Sequence, residues 1–147
     1  MSDIIVQKFG GTSVGSDERI AAVAQIIKKA KKDNQIIVVV SAMSGETNRL
    51  INLAKTFGDN PDRREFDALI STGEKVSASL LAMALNSIGV KAKSFSASQI
   101  SMKTTDQHSK AKIIDVDGEK ILSTLEDDVV PIITGFQGVT ESGDVTT

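Results

Sequence analysis

The sequence predicts an α/β fold, with helices packed on a mostly parallel sheet, and three observations carry that prediction. Short apolar runs alternate with stretches of helical periodicity along the whole chain. "IIVVV", Ile36 to Val40, is apolar at every position, which is how a strand covered on both faces of a parallel sheet reads. The first strand, loop, helix and second strand then make a βαβ unit. With 147 residues, 40 % of them hydrophobic and 24 % charged, the chain has the size and balance of one globular domain.

Each element has its own local reason. Ile4 to Phe9 reads as a short strand, and from Asp17 the period becomes helical, with Ile20, Val23, Ala24, Ile27 and Ala30 on one face. Lys28, Lys29, Lys31 and Lys32 crowd the last turn, where cations suit the negative end of the macrodipole, so this basic run reads as a solvated helix end. Helical spacing returns at Leu50, Leu53, Ala54 and Phe57. A further helix begins near Asp62, whose carboxylate can cap with Glu65 three residues on. A longer one runs from Glu74 to Ile88, and Gly89 stops it with a left-handed cap. Strands follow at Lys91 to Phe95 and Lys112 to Val116, then a short helix in "DGEKILSTLEDD" and a strand in "VVPIITGF". Pro131 removes a ladder donor from that strand, so it must begin the regular part or lie where the missing N–H does no harm.

Composition excludes several classes of function. The 17 basic and 19 acidic residues leave a net charge of -2, too little asymmetry for a nucleic-acid surface, and a small-molecule partner fits better. Without cysteine there is no disulfide framework, thiolate nucleophile or cysteine zinc site. "MSDIIVQ" carries an acid where a signal peptide wants positive charge, and no apolar run approaches the roughly 18 residues of a membrane span. The expectation is a soluble, cytoplasmic chain with no membrane partner. Aromatic residues are 3 % and all phenylalanine, which argues against a base-stacking surface.

Three stretches carry candidate chemistry. In "VQKFGGTSVGS", Gly10 and Gly11 let the backbone approach a ligand, Thr12 and Ser13 add hydroxyls, and Lys8 adds a compact positive charge. That set suits a phosphoryl group, although the lysine precedes both glycines and so excludes a P-loop. A tight strand-to-helix turn without a ligand stays open. In "VVVSAMSGETNRL", Ser41, Gly45, Thr47 and Asn48 follow a buried strand, at the end where open α/β sheets hold ligands. Thr47 or Asn48 could equally cap the next helix. In "ISTGEKVSASLLAMAL", Glu74 falls in the first turn of its helix, where it either complements the dipole or holds a substrate ammonium. His108 lies in a polar segment without a second metal ligand and reads as structural or surface, while Glu126, Asp127 and Asp128 read as a solvated turn. No metal site is expected.

Taken together, "KFGGTSV", "SAMSGETN", "STGEKVSASLLAMAL" and "GFQGVTESGDVTT" occur in the order and approximate spacing of the aspartate kinases, a branch of the amino-acid kinase family, and the chain resembles them over its whole length. The resemblance implies a three-layer αβα sandwich. It implies transfer of the ATP γ-phosphoryl group to the β-carboxylate of L-aspartate, which opens lysine, threonine and methionine biosynthesis. A carboxylate is already a nucleophile, so positioning and cationic charge can carry such a reaction. By the family pattern Lys8 stabilises the moving phosphoryl group, Gly10, Gly11, Thr12 and Ser13 donate to phosphate oxygens, and Ser41 lies beside them. Gly45, Thr47 and Asn48 border the substrate, Thr47 holding its carboxylate, and Glu74 binds its ammonium; Mg2+ accompanies the ATP. The resemblance further implies that residues 1–147 are an amino-terminal, amino-acid-binding lobe. The nucleotide lobe and regulatory domains would lie elsewhere, this piece alone would be almost inactive, with an exposed sheet edge, and the full-length enzyme would be a homo-oligomer. Two other readings compete: an amino-acid kinase with a different acceptor, and a non-catalytic module that binds an anion or a protein partner.

Overall fold

The structure, a computed structural model, describes residues 3–147; Met1 and Ser2, which belong to the stretch read as lacking a signal peptide, lie outside the described residues. The elements are β1 (Ile4–Phe9), α1 (Asp17–Ala30), β2 (Gln35–Val40), α2 (Glu46–Ala54), α3 (Arg63–Ile70), α4 (Thr72–Ser87) and β3 (Ala92–Phe95). There follow β4 (Met102–Thr104), β5 (Ile113–Val116), α5 (Glu119–Glu126), β6 (Val130–Thr134), β7 (Gly138–Val139) and β8 (Val145–Thr146).

Four strands form a wholly parallel sheet in the order β1-β2-β6-β3. One face carries the main core, where Ile20, Val23, Ala24 and Ile27 of α1 meet Ala78, Leu81 and Leu85 of α4 over Ile36, Val38 and Val40 of β2. These are the α1 positions that the 3.6 period selects. Ser16 caps α1 by accepting from Arg19 N–H, and Gly89 leaves α4 at a positive φ of 80°. The other face packs Ile121 of α5 with Phe95, Ile100 and Ile133, which completes the three layers. Pro131 is harmless for a specific reason. Val130 N–H donates toward β3, so the next residue faces β2, and pairing with β2 begins only at Ile132.

Four expectations need correction. β2 is not equally covered on its two faces: Ile36, Val38 and Val40 are buried, whereas Ile37 and Val39 are half-buried and line an apolar groove of about 590 Å³. The strand at 113–116 does not join the parallel sheet. It pairs antiparallel with β4 in a second sheet, ordered β5-β4-β7-β8. Phe57 is not on a packed helical face, because α2 ends at Ala54 and the following 3-10 turn leaves the ring 99 % exposed. Finally, α3 and α4 run on as a helical stretch of 25 residues with mean hydropathy 1.2, long and apolar enough to cross a membrane. Half of that window is buried inside the fold, because its apolar residues make the α4 face of the core.

His108 proves to be part of a buried clasp. Asp67 of α3, 0 % exposed, accepts from Ser109 N–H at 2.9 Å, Ser109 Oγ at 3.0 Å, Thr147 N–H at 3.1 Å and Thr147 Oγ1 at 2.6 Å, with His108 Nδ1 at 3.1 Å. Burial acts to raise the Asp67 carboxyl, but the bonds from Thr147 and Ser109 outweigh it and hold the group below the usual aspartate range. A lowered carboxyl stabilises the fold above its unfolded pKa of about 3.9, and that contribution disappears as pH falls through the folded value. Asp67→Asn, which turns an amide N–H toward these donors, is expected to cost about 2–3 kcal/mol in urea unfolding at pH 7. The deficit should shrink below about pH 4. A deficit that stays constant down to pH 2 would refute the clasp.

Candidate active site

Three strand ends stand side by side. Phe9 is in register with Val40, and Val40 with Thr134, so the loops after β1, β2 and β6 leave the sheet together at its carboxyl end. They are tied by Ser41 N–H to Phe9 O at 3.0 Å, Ser44 N–H to Gly11 O at 3.0 Å and Gly135 N–H to Val40 O at 2.8 Å. The second of these crossings requires glycine at position 11, where a Cβ would sit 2.8 Å from Ala42 O. Between the loops lies a cavity of about 440 Å³, bordered by Lys8, Gly11, Ser41 to Gly45, Thr47, Glu74 and Phe136. That volume falls within the roughly 300–1,000 Å³ of small-ligand sites. Two other hollows, of about 590 and 680 Å³, are lined mainly by apolar side chains. In the cavity at the strand ends a cation, hydroxyls and a carboxylate converge.

Alternation along β1 turns Gln7 and Phe9 toward the helices and leaves the exposed Lys8 at the cavity. Gly45, with a positive φ of 82°, is the N-cap of α2 and supplies no side chain. Thr47 and Asn48 therefore lie inside the helix and do not cap it. Thr47 borders the cavity, while Asn48 is exposed outside it. Gly10, Thr12 and Ser13 form the turn beyond the rim: Ser13 N–H donates to Gly10 O at 3.0 Å, and Thr12 O accepts from Arg19 Nη1 at 3.0 Å.

Glu74 is the most unusual group in the site. It occupies the first turn of α4 and is only 3 % exposed. Its Oε1 accepts from Ala42 N–H at 3.2 Å, and its Oε2 is buried without a partner among the described residues. Burial pushes the carboxyl above the usual glutamate range, against the opposing bonds from its own backbone N–H and from that of Ala42. In its charged form such a carboxylate, with one satisfied oxygen and one bare one, is unfavourable, and either a proton or an arriving cation relieves the cost. Among the described residues no three acidic or histidine side chains gather to hold a metal ion.

Residues 3–147 match the amino acid kinase family. The chain belongs to that family. It is 51 % identical over 145 residues to an aspartate kinase of Pseudomonas putida, covering 98 % of this chain and 35 % of that protein. The chain thus spans about a third of the length of such relatives. Among solved structures, aspartate kinase from Synechocystis is 41 % identical, with a TM-score of 0.80 over 99 % of this chain and 24 % of that one. E. coli aspartokinase III, in complex with aspartate and ADP, shares the fold at 22 % identity, with a TM-score of 0.86 over 99 % of this chain and 43 % of its own. Against this amino acid kinase fold, sequence reasoning missed Ala42, Met43, Ser44 and Phe136 at the cavity. The signal for Phe136 was the "TGFQG" run at a strand end, where a bulky residue between glycines takes a positive φ of 59°.

Proposed function

We propose that this chain forms the acceptor-binding half of an aspartate kinase, in which the γ-phosphoryl group of ATP passes to the β-carboxylate of L-aspartate. Glu74, whose Oε2 is bare, borders the same cavity as Lys8, and this carries the proposal. An α-amino acid brings an ammonium for Glu74 and a carboxylate for the donors of the β2–α2 loop, among them Thr47. Its β-carboxylate oxygen then attacks the γ-phosphorus while the bond to the bridging oxygen breaks and ADP departs. Lys8 stabilises the charge on the transferred group, with Gly11 and Ser41 beside it, so positioning and electrostatics supply the catalysis. Gly10, Thr12 and Ser13 take part through the turn they form at the rim.

Support comes also from structural relatives that carry aspartate, with ADP in one case and lysine in another. The donor set of this cavity, one lysine, hydroxyls, backbone N–H groups and one buried carboxylate, fits phosphoryl oxygens and an ammonium. Mg2+ belongs with the nucleotide phosphates, whose charge it neutralises. We further assign the reaction to the cytoplasm, to the lysine, threonine and methionine branch of biosynthesis, and to a homo-oligomeric enzyme.

Titration of this chain with L-aspartate, followed by amide NMR, should shift the signals of Ala42, Thr47 and Glu74, and L-glutamate should shift them less. Trapping of acyl phosphate with hydroxylamine should succeed with a polypeptide of the relatives' length and fail, or nearly so, with the 147 residues alone. Absence of both the shifts and the hydroxamate in the longer polypeptide would overturn the assignment. An equal response to L-glutamate would leave a kinase with another acceptor.

A further inference from the structure

The helix that carries Glu74 starts without a cap of its own. Ser71, at its N-cap position, has helical backbone angles and makes no side-chain bond to the first turn. Its hydroxyl donates back to Ala68 O at 2.9 Å, and that of Thr72 to Leu69 O at 2.7 Å, so both are engaged by α3. α4 follows α3 through the helical Ser71, and bonds from two neighbouring loops tie this junction to the rest of the fold. On one side the β2–α2 loop holds it, through Ala42 N–H on Glu74 Oε1 and Ser77 Oγ on Ser41 O at 2.7 Å. On the other side Gln137 Nε2 donates to Ser71 O at 3.0 Å, less than one turn before Glu74. Gln137 is a buried amide, and a buried amide keeps its place only where it is hydrogen-bonded. Phe136, immediately before it, is exposed, has a positive φ of 59° and borders the cavity, whereas Gln137 is buried.

We propose that Gln137 is the positioning residue for Glu74. It joins the β6–β7 loop, whose Phe136 borders the cavity, to the start of α4, and so fixes where the buried carboxylate stands relative to the Ala42 N–H and the cavity. Gln137 is not among the residues that border the cavity, and its side-chain bond is to Ser71 O, so it acts through Ser71. The inference rests on the reading of Glu74 as the carboxylate that faces the acceptor, but the position of Glu74 can be followed with no ligand present.

The test uses this chain and two variants, Gln137→Met, which keeps the length of the side chain and removes its donor, and Gln137→Glu, which can donate to Ser71 O only when protonated. In Gln137→Met the amide of Ala42 is expected to exchange roughly fivefold to tenfold faster, the effect of one net hydrogen bond, while that of Val38 in the sheet stays unchanged. Because Ala42 N–H also donates to Glu74, which titrates in wild type as well, the readout is the offset of the Ala42 signal of Gln137→Glu from wild type at the same pH. It should be present at pH 7 and vanish below about pH 4, where the new carboxyl is protonated. Wild-type exchange at Ala42 in a folded Gln137→Met would overturn the proposal. If that variant does not fold, a Gln137→Glu signal for Ala42 that matches wild type at every pH, or whose offset from wild type does not change with pH, overturns it equally. Because neither readout involves aspartate or ATP, their failure leaves the kinase assignment standing, and failure of aspartate binding leaves these readouts intact.

Discussion

Glu74→Gln is expected to weaken the binding of L-aspartate by about a hundredfold, the loss that follows when one partner of a buried charge pair is removed, and at the same time to stabilise the empty fold at neutral pH. Both effects have one origin. The wild-type carboxyl is raised by burial, so the folded chain holds its proton more tightly than the unfolded chain does. Such a group stabilises the fold most below its unfolded pKa, and the stability is lost as pH rises through the folded value. Above that value the chain carries a buried charge with a bare Oε2. Gln removes the charge and retains an oxygen to accept from Ala42 N–H, the bond that Oε1 makes now. Thermal unfolding should therefore show Glu74→Gln above wild type at pH 7 by about 2–4 °C, and level with it below about pH 4. Calorimetric titration of the longer polypeptide measures the binding loss. A variant that binds aspartate normally, or that is destabilised at pH 7, would remove Glu74 from the proposed role.

That trade between stability and binding bears on how far the site was legible in the sequence. The strands and the helix face of α1 were readable because their apolar periods are long enough to identify the buried side, and Ile20, Val23, Ala24 and Ile27 lie where the period puts them. Lys8, Gly11, Ser41, Gly45, Thr47 and Glu74, proposed from three separate stretches, line one cavity. They could be found because parallel strands deliver their carboxyl ends to one side. The second sheet was not readable. β7 and β8 have two residues each, too few to show a period, and they are specified by partners far along the chain. The Asp67 clasp escaped for a similar reason, since it joins residues 42 and 80 positions away in sequence. Nothing local distinguishes that aspartate from a solvated one on a helix surface. Phe57 misled in the opposite direction, because spacing alone does not say whether anything packs against a helix face.

Lys8→Met in the longer polypeptide is expected to lower kcat by about 100- to 1,000-fold, the range seen when one preorganised group that stabilises transition-state charge is lost. Lys8 makes no salt bridge among the described residues, in contrast to Lys31 with Asp128 or Arg64 with Asp144. Its ammonium is thus available for charge that develops at the phosphoryl group during transfer, when three equatorial oxygens must be stabilised. Met keeps the unbranched stem and deletes only the charge. Because the side chain is exposed in this chain, the substitution should leave folding within about 0.5 kcal/mol of wild type, which separates a chemical effect from a structural one. The KM for L-aspartate should change much less than kcat, since an interaction confined to the transition state moves the rate and not ground-state binding. Lys8→Arg keeps the charge on a larger, planar head group, so it should recover part of the rate and not all of it. Steady-state kinetics with hydroxylamine trapping decides the matter. A Lys8→Met enzyme within threefold of the wild-type kcat, or one whose loss lies wholly in KM, would show that this lysine binds a ground state and that the charge on the phosphoryl group is stabilised from elsewhere.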